Sequence, residues 1–449
     1  MEFVVLYYIM GVLGLLTRKK KRELEKDTNY FFELTKIKKH FFKDINDQMK
    51  RVKDPRHQGY ILYDPDILLF MVILKNICNI KSMRGMTEGF NKDECIENIS
   101  KVLDLDHLNE LPHYDTINDF LSELEVSELE DIRTNMIKDL LKKRSFERYR
   151  INDKYWAVAF DGTGLFSFNK RHCAHCLKRV YNKGTDEEKT VYMHHVLEAK
   201  LIVGDIVLSI GSEFIENESE DVTKQDCELR AFFRLTEKLK QTYSRLPVCI
   251  LGDSLYACES VFEMCDKYRW KYLIRFKEGR IKSIAQEFGT IKEIEEKEKK
   301  IDDIYWVKDI SYNNRGINIL EFTEATEEIT RSFVFTTNIN ITKRNAPGLV
   351  AAGRSRWKIE NQGFNRQKNL LYNIEHCNSH NYNAMKNHYI LTQIADMIMQ
   401  LFEKGLGILK EGKKTLKEIS SNLLEAIRTR RLTEEDILRW ANPIQVRFT

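Results

Sequence analysis

Glu360 is the single carboxylate in the segment Arg354–Lys368, Arg-Ser-Arg-Trp-Lys-Ile-Glu-Asn-Gln-Gly-Phe-Asn-Arg-Gln-Lys, which carries five cations: Arg354, Arg356, Lys358, Arg366 and Lys368. On a helix, Arg356 lies four residues before Glu360 and Lys368 eight after it, which places the three on one face. Surface ion-pair helices mix their signs more evenly. One acid among many cations suits a polyanion held beside a metal ligand. A solvated basic face has the same composition, so the chemistry depends on partners elsewhere in the chain.

Two aspartates are such partners. Asp161 ends the apolar, β-prone part of Tyr155–Gly164 (Tyr-Trp-Ala-Val-Ala-Phe-Asp-Gly-Thr-Gly), and Asp253 ends Leu246–Asp253 (Leu-Pro-Val-Cys-Ile-Leu-Gly-Asp). Each pattern is that of a buried strand delivering an acid at its end, and the apolar spacing in Ser254–Trp270 adds a helix after the second. A carboxylate so placed is open to a ligand yet anchored by a sheet. An aspartate beside glycine also reads as a turn or cap. Three acids in this order, the last in a basic helix, do not reduce to turns and caps. Hard oxygen ligands favour Mg2+ or Mn2+. Two such ions about 3.5–4 Å apart can activate a water or a 3′-hydroxyl and stabilise the leaving oxygen in phosphodiester displacement. The chemistry expected is nucleotidyl transfer and nicking on DNA.

With these three motifs the chain, from about Asp54 to Glu403, resembles the DDE transposases of bacterial insertion sequences. More narrowly it is similar to the cut-and-paste group with an RNase H-like core, a β-rich insertion before the glutamate and a Tyr-Arg-Glu-Lys signature. Asp161, Asp253 and Glu360 match the three acids and Arg356 the signature arginine. Gly353 stands where the signature has tyrosine. Gln367 stands where it has lysine, with Lys368 one step on, a shift read as a subgroup trait. The resemblance implies an α/β fold, a mixed-sheet RNase H-like core preceded by a mainly helical domain that recognises transposon ends. It also implies cleavage at those ends and strand transfer, with two Mg2+ or Mn2+ ions held by the acids. Double-stranded DNA, as terminal inverted repeats and target, is the implied substrate, bound by a dimer. Arg354, Arg356, Lys358 and Lys368 would hold phosphates, and Asn361 or Asn365 would position bases or backbone. Trp306, in the insertion, either stacks on a flipped base or packs in its own sheet. A stand-alone endonuclease on the same fold and an inactive DNA-binding relative share these residues.

The elements that must position the acids follow from patterning. The 449 residues, 42% hydrophobic and 31% charged, suffice for two or three globular domains. Net charge is only +4, so local clusters matter more, above all the seven cations against one acid in Lys343–Lys368. Nine cysteines without a regular framework fit a reducing cytoplasm, with nucleoid association implied by the substrate. Phe3–Leu16 is apolar and precedes the basic run Arg18–Arg22. It is short for a bilayer span, and a secretory signal would carry its charge first. A signal anchor stays open. The preferred reading is an over-extended N-terminus, folding from near Thr28, with no stable membrane association.

Residues 1–27 are therefore set apart and 28–150 read as helical and DNA-binding, with helices within His107–Glu123 and at Leu129–Lys143. Residues 151–289 form the first part of the core. Its expected strands are Tyr155–Phe160, Thr190–Val203, Ile206–Phe214, Val248–Gly252 and Lys271–Phe276, with a helix at Glu228–Tyr243. Residues 290–345 form the β-rich insertion, strands Ile304–Ile310, Ile317–Glu324 and Arg331–Thr337, with Asn313–Gly316 as a hairpin turn. Residues 346–405 return to the core with Glu360, and the apolar helix Asn387–Phe402 is expected to cover the sheet. Residues 406–449 are a charged helical tail. One further cluster carries chemistry. His172-Cys173-Ala174-His175-Cys176 and His194-His195 offer zinc ligands, with Cys173, Cys176 and His194 foremost. Tyr192 to Val196 also alternates as an ordinary strand would.

Overall fold

The computed structural model describes Thr17 and residues 27–440 apart from 107, 296–300, 302, 326–328, 407–408 and 410–413, together with residues 442, 444, 446 and 448. Phe3–Leu16 and Arg18–Arg22 lie outside the described residues. The chain divides into two compact units: residues up to Ser145 with Asn365 onward, and Phe146–Phe364.

Among the described residues the first unit has, before the second, the α-helices α1 (Tyr30–Phe41), α2 (Ile45–Lys50), α3 (Pro65–Ile77), α4 (Met83–Phe90), α5 (Asp93–Leu103), α6 (Tyr114–Glu123) and α7 (Val126–Lys142). Local chemistry sets their ends. The Asn29 side chain accepts from the Phe31 and Phe32 amides to start α1, and Pro65 occupies the first turn of α3, where its missing N–H costs nothing. All thirteen residues of α3 are buried.

The second unit is built on one sheet. Its strands are β1 (Trp156–Phe168), β2 (Leu177–Tyr181), β3 (Lys189–Val203), β4 (Ile206–Ile215), β5 (Val248–Gly252), β6 (Lys271–Arg275), β7 (Ile304–Tyr312), β8 (Arg315–Ala325) and β9 (Thr330–Thr337). β1, β5 and β6 run parallel at the centre. β3 pairs antiparallel with β1 and carries both β2 and β4 on its other edge. The β7–β8–β9 meander, the expected insertion, continues the same sheet, because β9 pairs with β6 at Leu273↔Thr337. Asn313 and Asn314 both take positive φ and close the β7–β8 hairpin in two residues. α8 (Glu228–Thr242) packs on β3 and β4, α9 (Glu259–Tyr268) on β6, α10 (Lys282–Glu295) on β7 and α11 (Ala346–Ser355) on β6 and β8. α12 (Ile359–Leu370) is wound as a π-helix and carries the chain from the second unit into the first.

Back in the first unit come α13 (Tyr382–Gly405), α14 (Leu416–Thr429) and α15 (Glu434–Trp440). The apolar stretch expected to cover the sheet is the middle of α13, and it packs on α1, α3, α6 and α7. It is buried all round, so it needs helices on every side. Several of its buried polar groups bond to those neighbours: Asn387 donates to the Leu121 and Leu124 carbonyls, each at 2.8 Å, and Thr392 accepts from Asn76 at 3.2 Å.

A buried ion pair supports the start of α12. Glu198 and Lys200 on β3 are fully buried, with Nζ 3.8 Å from Oε2. Ser209 donates to Glu198 at 2.7 Å, and Ser212 also hydrogen-bonds to it. The Lys200 ammonium lies 5.6 Å over the Phe364 ring, and a Cβ on Gly363 would stand 3.4 Å from its Cδ. Lys200→Met leaves a buried carboxylate without its cation and should cost about 3–5 kcal/mol in urea unfolding. The double change Lys200→Met with Glu198→Gln should recover much of that loss.

Candidate active site

Asp161 and Asp253 sit level where β1 and β5 stop pairing; β5 ends there, whereas β1, expected to stop at Phe160, runs on to Phe168 against β3, so Asp161 lies mid-strand. β1 pairs with β5 up to Ala159↔Leu251, and two further residues along each strand reach the two acids. The flanks are rigid: Trp156–Phe160 and all of β5 are buried. Asp253 is further fixed because its Oδ1 accepts the Leu255 amide at 2.7 Å, capping the turn Ser254–Tyr256. Glu360 is the second residue of α12, and π-winding is often found at functional positions. Arg356 joins the acids: it donates to Glu360 Oε1 at 2.7 Å and lies 3.5 Å from Asp161 Oδ2.

Sequence reasoning missed a fourth acid. Glu228, the first residue of α8, accepts from the Tyr256 hydroxyl at 2.6 Å. Glycines make room for this pair beside both aspartates. A Cβ on Gly162 would stand 2.8 Å from Glu228 Oε2, and one on Gly252 would stand 2.8 Å from Tyr256 Cδ2. In the sequence Glu228 carries only the signal of an acid favoured at a helix start by the macrodipole, so nothing there separates it from a capping residue.

Burial pushes the Asp161 carboxyl up to about 7; Arg356 opposes this, while Glu360, Glu228 and Asp253 add to it. Burial likewise raises Glu228, countered by its Tyr256 bond and reinforced by Asp253. Hard oxygens carrying more negative charge than one guanidinium balances are the donor chemistry of a divalent-cation site, though no three of these acids bring their oxygens within 4.8 Å of one another in this structure.

The remaining candidates fall in different places. A cleft of about 400 Å3 beside Asp253 is lined by Arg275, Lys277, Phe333, Phe335, Arg356 and Trp357, among others. Arg275 stacks on Phe333 at 4.9 Å, and its Nη1 is buried with no hydrogen-bond partner among the described residues. Trp357 is 47% exposed, whereas Trp306 is only 4% exposed and packs in the core with Leu320 and Phe335. Of the two readings for Trp306, packing is the one realised, since a ring so enclosed presents no face to a base. Arg354 also lines the cleft but is paired with Glu324 at 3.1 Å, and Lys358 pairs with Asp205 at 2.9 Å. In the helical unit Arg366 is buried against Asp396 and Glu403, Lys368 pairs with Glu375 at 2.8 Å, and Asn365 accepts from Asn369. The basic segment is therefore not one cationic face. Cys173, Cys176 and His194 do come together, away from the acids in donor chemistry.

Acids presented from two adjacent parallel strands, one within β1 and one just past β5, and from a following helix, on a sheet with an antiparallel edge, are the arrangement of an RNase H-like nucleotidyl-transfer enzyme. Residues 221–397 match the family model described as Transposase DDE domain, and residues 46–136 match that described as DDE_Tnp_1-associated. The chain belongs to the DDE transposases of insertion sequences. Enzymes of this family act on DNA and generally use divalent metals. The matched ranges include Glu228, Asp253 and Glu360; Asp161 joins them through the sheet register. No curated protein matches the chain. No helix among the described residues is long and apolar enough to cross a membrane.

A proton and a cation compete for Asp161. Below pH 7 ion binding must displace that proton; above it the carboxylate is already free. Calorimetric titration of Mn2+ should show affinity falling by up to about tenfold per pH unit below 7 and levelling above it. Glu228→Gln should flatten that dependence by removing one repelling charge, and an unchanged profile would count against its place in the cluster.

Proposed function

We propose that this transposase cleaves DNA at the ends of its element with Mg2+ or Mn2+ and joins the freed 3′-hydroxyl to target DNA. Asp161, Asp253 and Glu360 would hold two ions, which supply Lewis acidity at the attacking and leaving oxygens. The observation that carries this reading is Arg356 shared between Asp161 and Glu360, with the Asp161 carboxyl raised mainly by burial and further by its acidic neighbours.

The chain's own residues have separate tasks. Arg356 reaches both acids, so it can donate to a phosphate lodged between them. Arg275, over the Phe333 ring, and Lys277 line the same cleft and add positive charge there for a flanking phosphate. Trp357 offers an exposed ring to a base, an interaction of roughly 1–3 kcal/mol. Asp161 acts as a ligand once it has lost its proton, so turnover rises through pH 7. Glu228, bonded to Tyr256, keeps the Asp161 side of the site negative. Holding two element ends at once calls for a dimer on DNA.

The deciding experiment uses a labelled duplex bearing the flanking inverted repeat, with Mg2+ and with EDTA. Wild type should nick at the repeat boundary only with the metal, and Asp253→Ala should not. Repeat binding without nicking would overturn the catalytic reading, and nicking without joined products would leave an endonuclease. In the same assay Arg275→Ala should weaken duplex binding evenly across sequences and lower the salt slope by about one.

A further inference from the structure

The loop between β1 and β2, residues 169–176, brings a second donor set together. Cys173 Sγ lies 3.7 Å from Cys176 Sγ and 3.5 Å from His194 Nε2, and Cys176 Sγ lies 3.3 Å from the same nitrogen. A tetrahedral zinc with Zn–S of about 2.3 Å and Zn–N of about 2.0–2.1 Å requires S···S near 3.7 Å and S···N near 3.5 Å. Three edges of that tetrahedron are thus close to their required length. His172 offers a fourth donor: its ring nitrogen, Cys173 Sγ and a His194 nitrogen lie within 4.8 Å of one another, a group that does not include Cys176, so the loop must close slightly to bring all four donors onto one ion. Of the other two histidines in these motifs, His175 faces the Asn217 carbonyl at 2.9 Å and His195 faces Met193 Sδ at 3.1 Å.

We propose that His172, Cys173, Cys176 and His194 form a structural zinc site that fastens this loop to β3. Two soft sulfurs and two imidazoles select zinc over the hard cations suited to the carboxylates. The set would fill a tetrahedron and leave no open position, which is the arrangement of a structural centre. Its surroundings are closed, with Cys176 and His194 at most 1% exposed. Phe168 stacks on His172 at 4.6 Å, and Phe166 meets His194 edge-on at 5.8 Å. The backbone is also preset. Asn217 donates its side-chain amide to the Cys176 carbonyl at 2.9 Å and its backbone amide to the His175 carbonyl at 3.2 Å. The metal would fix the outer ends of β1 and β3 and, with them, β2 and its exposed Lys178 and Arg179.

The test is metal analysis of the full chain produced with zinc in the medium and purified without chelators. About one zinc per chain is expected in wild type and in Cys227→Ser, and none in Cys173→Ser/Cys176→Ser. Should the double variant fail to fold, wild type exchanged with Co2+ decides alone. Thiolate-to-cobalt charge-transfer bands with the strong visible bands of tetrahedral cobalt support the site, and their absence overturns it. Wild type without zinc, its two thiols free or joined as a disulfide, overturns it as well.

Discussion

Like charges must be held together where β1 and β5 stop pairing, and the second unit is organised around that demand. Two carboxylates about 4 Å apart repel by on the order of 4 kcal/mol at the effective dielectric of a protein surface. No flexible loop would hold four of them facing one another. Two buried parallel strands do so for Asp161 and Asp253. Gly162 and Gly252 let the Glu228–Tyr256 pair approach where any side chain would collide. The Lys200–Glu198 pair beneath Phe364 supports the start of the helix that carries Glu360. Arg356 then offsets part of the remaining repulsion between two of the acids. Burial raises the Asp161 carboxyl to about 7, and the repulsion from Glu360, Glu228 and Asp253 that Arg356 leaves unbalanced adds to that rise.

Much of this frame was legible in the sequence, for definite reasons. Apolar runs ending in Asp161 and Asp253 located two central strands, because strands buried on both faces leave continuous apolar stretches. The Asn313–Asn314 turn showed itself through residues that tolerate positive φ. What failed was partner choice. Arg366 and Lys358 look alike in sequence, yet one is buried against Asp396 and Glu403 and the other reaches Asp205. A helix apolar on every side, such as α13, says that it is buried but not by what. Glu228 hid behind an ordinary preference of helix starts. The π-winding of α12 was equally invisible, since the spacing of its few apolar residues does not separate a π from an α period.

The two donor sets share strands, and their difference in chemistry carries the last step. Asp161 lies on β1 and His194 on β3, antiparallel neighbours whose register runs from Asp161↔Glu198 to Gly164↔His195. Between Gly164 and Ser167 the pairing slips, so β1 is irregular just where His194 faces it. A break in the ladder leaves its residues without the hydrogen bonds that would otherwise fix them, and the proposed four-ligand metal centre would replace that missing restraint. Sulfur and imidazole hold zinc away from the carboxylates, whose hard oxygens prefer Mg2+ or Mn2+. A single oxygen-rich site could not make that distinction, because divalent zinc outcompetes both for most ligands. Separating donors by softness lets one sheet keep a permanent ion at its rim and exchange others at its centre.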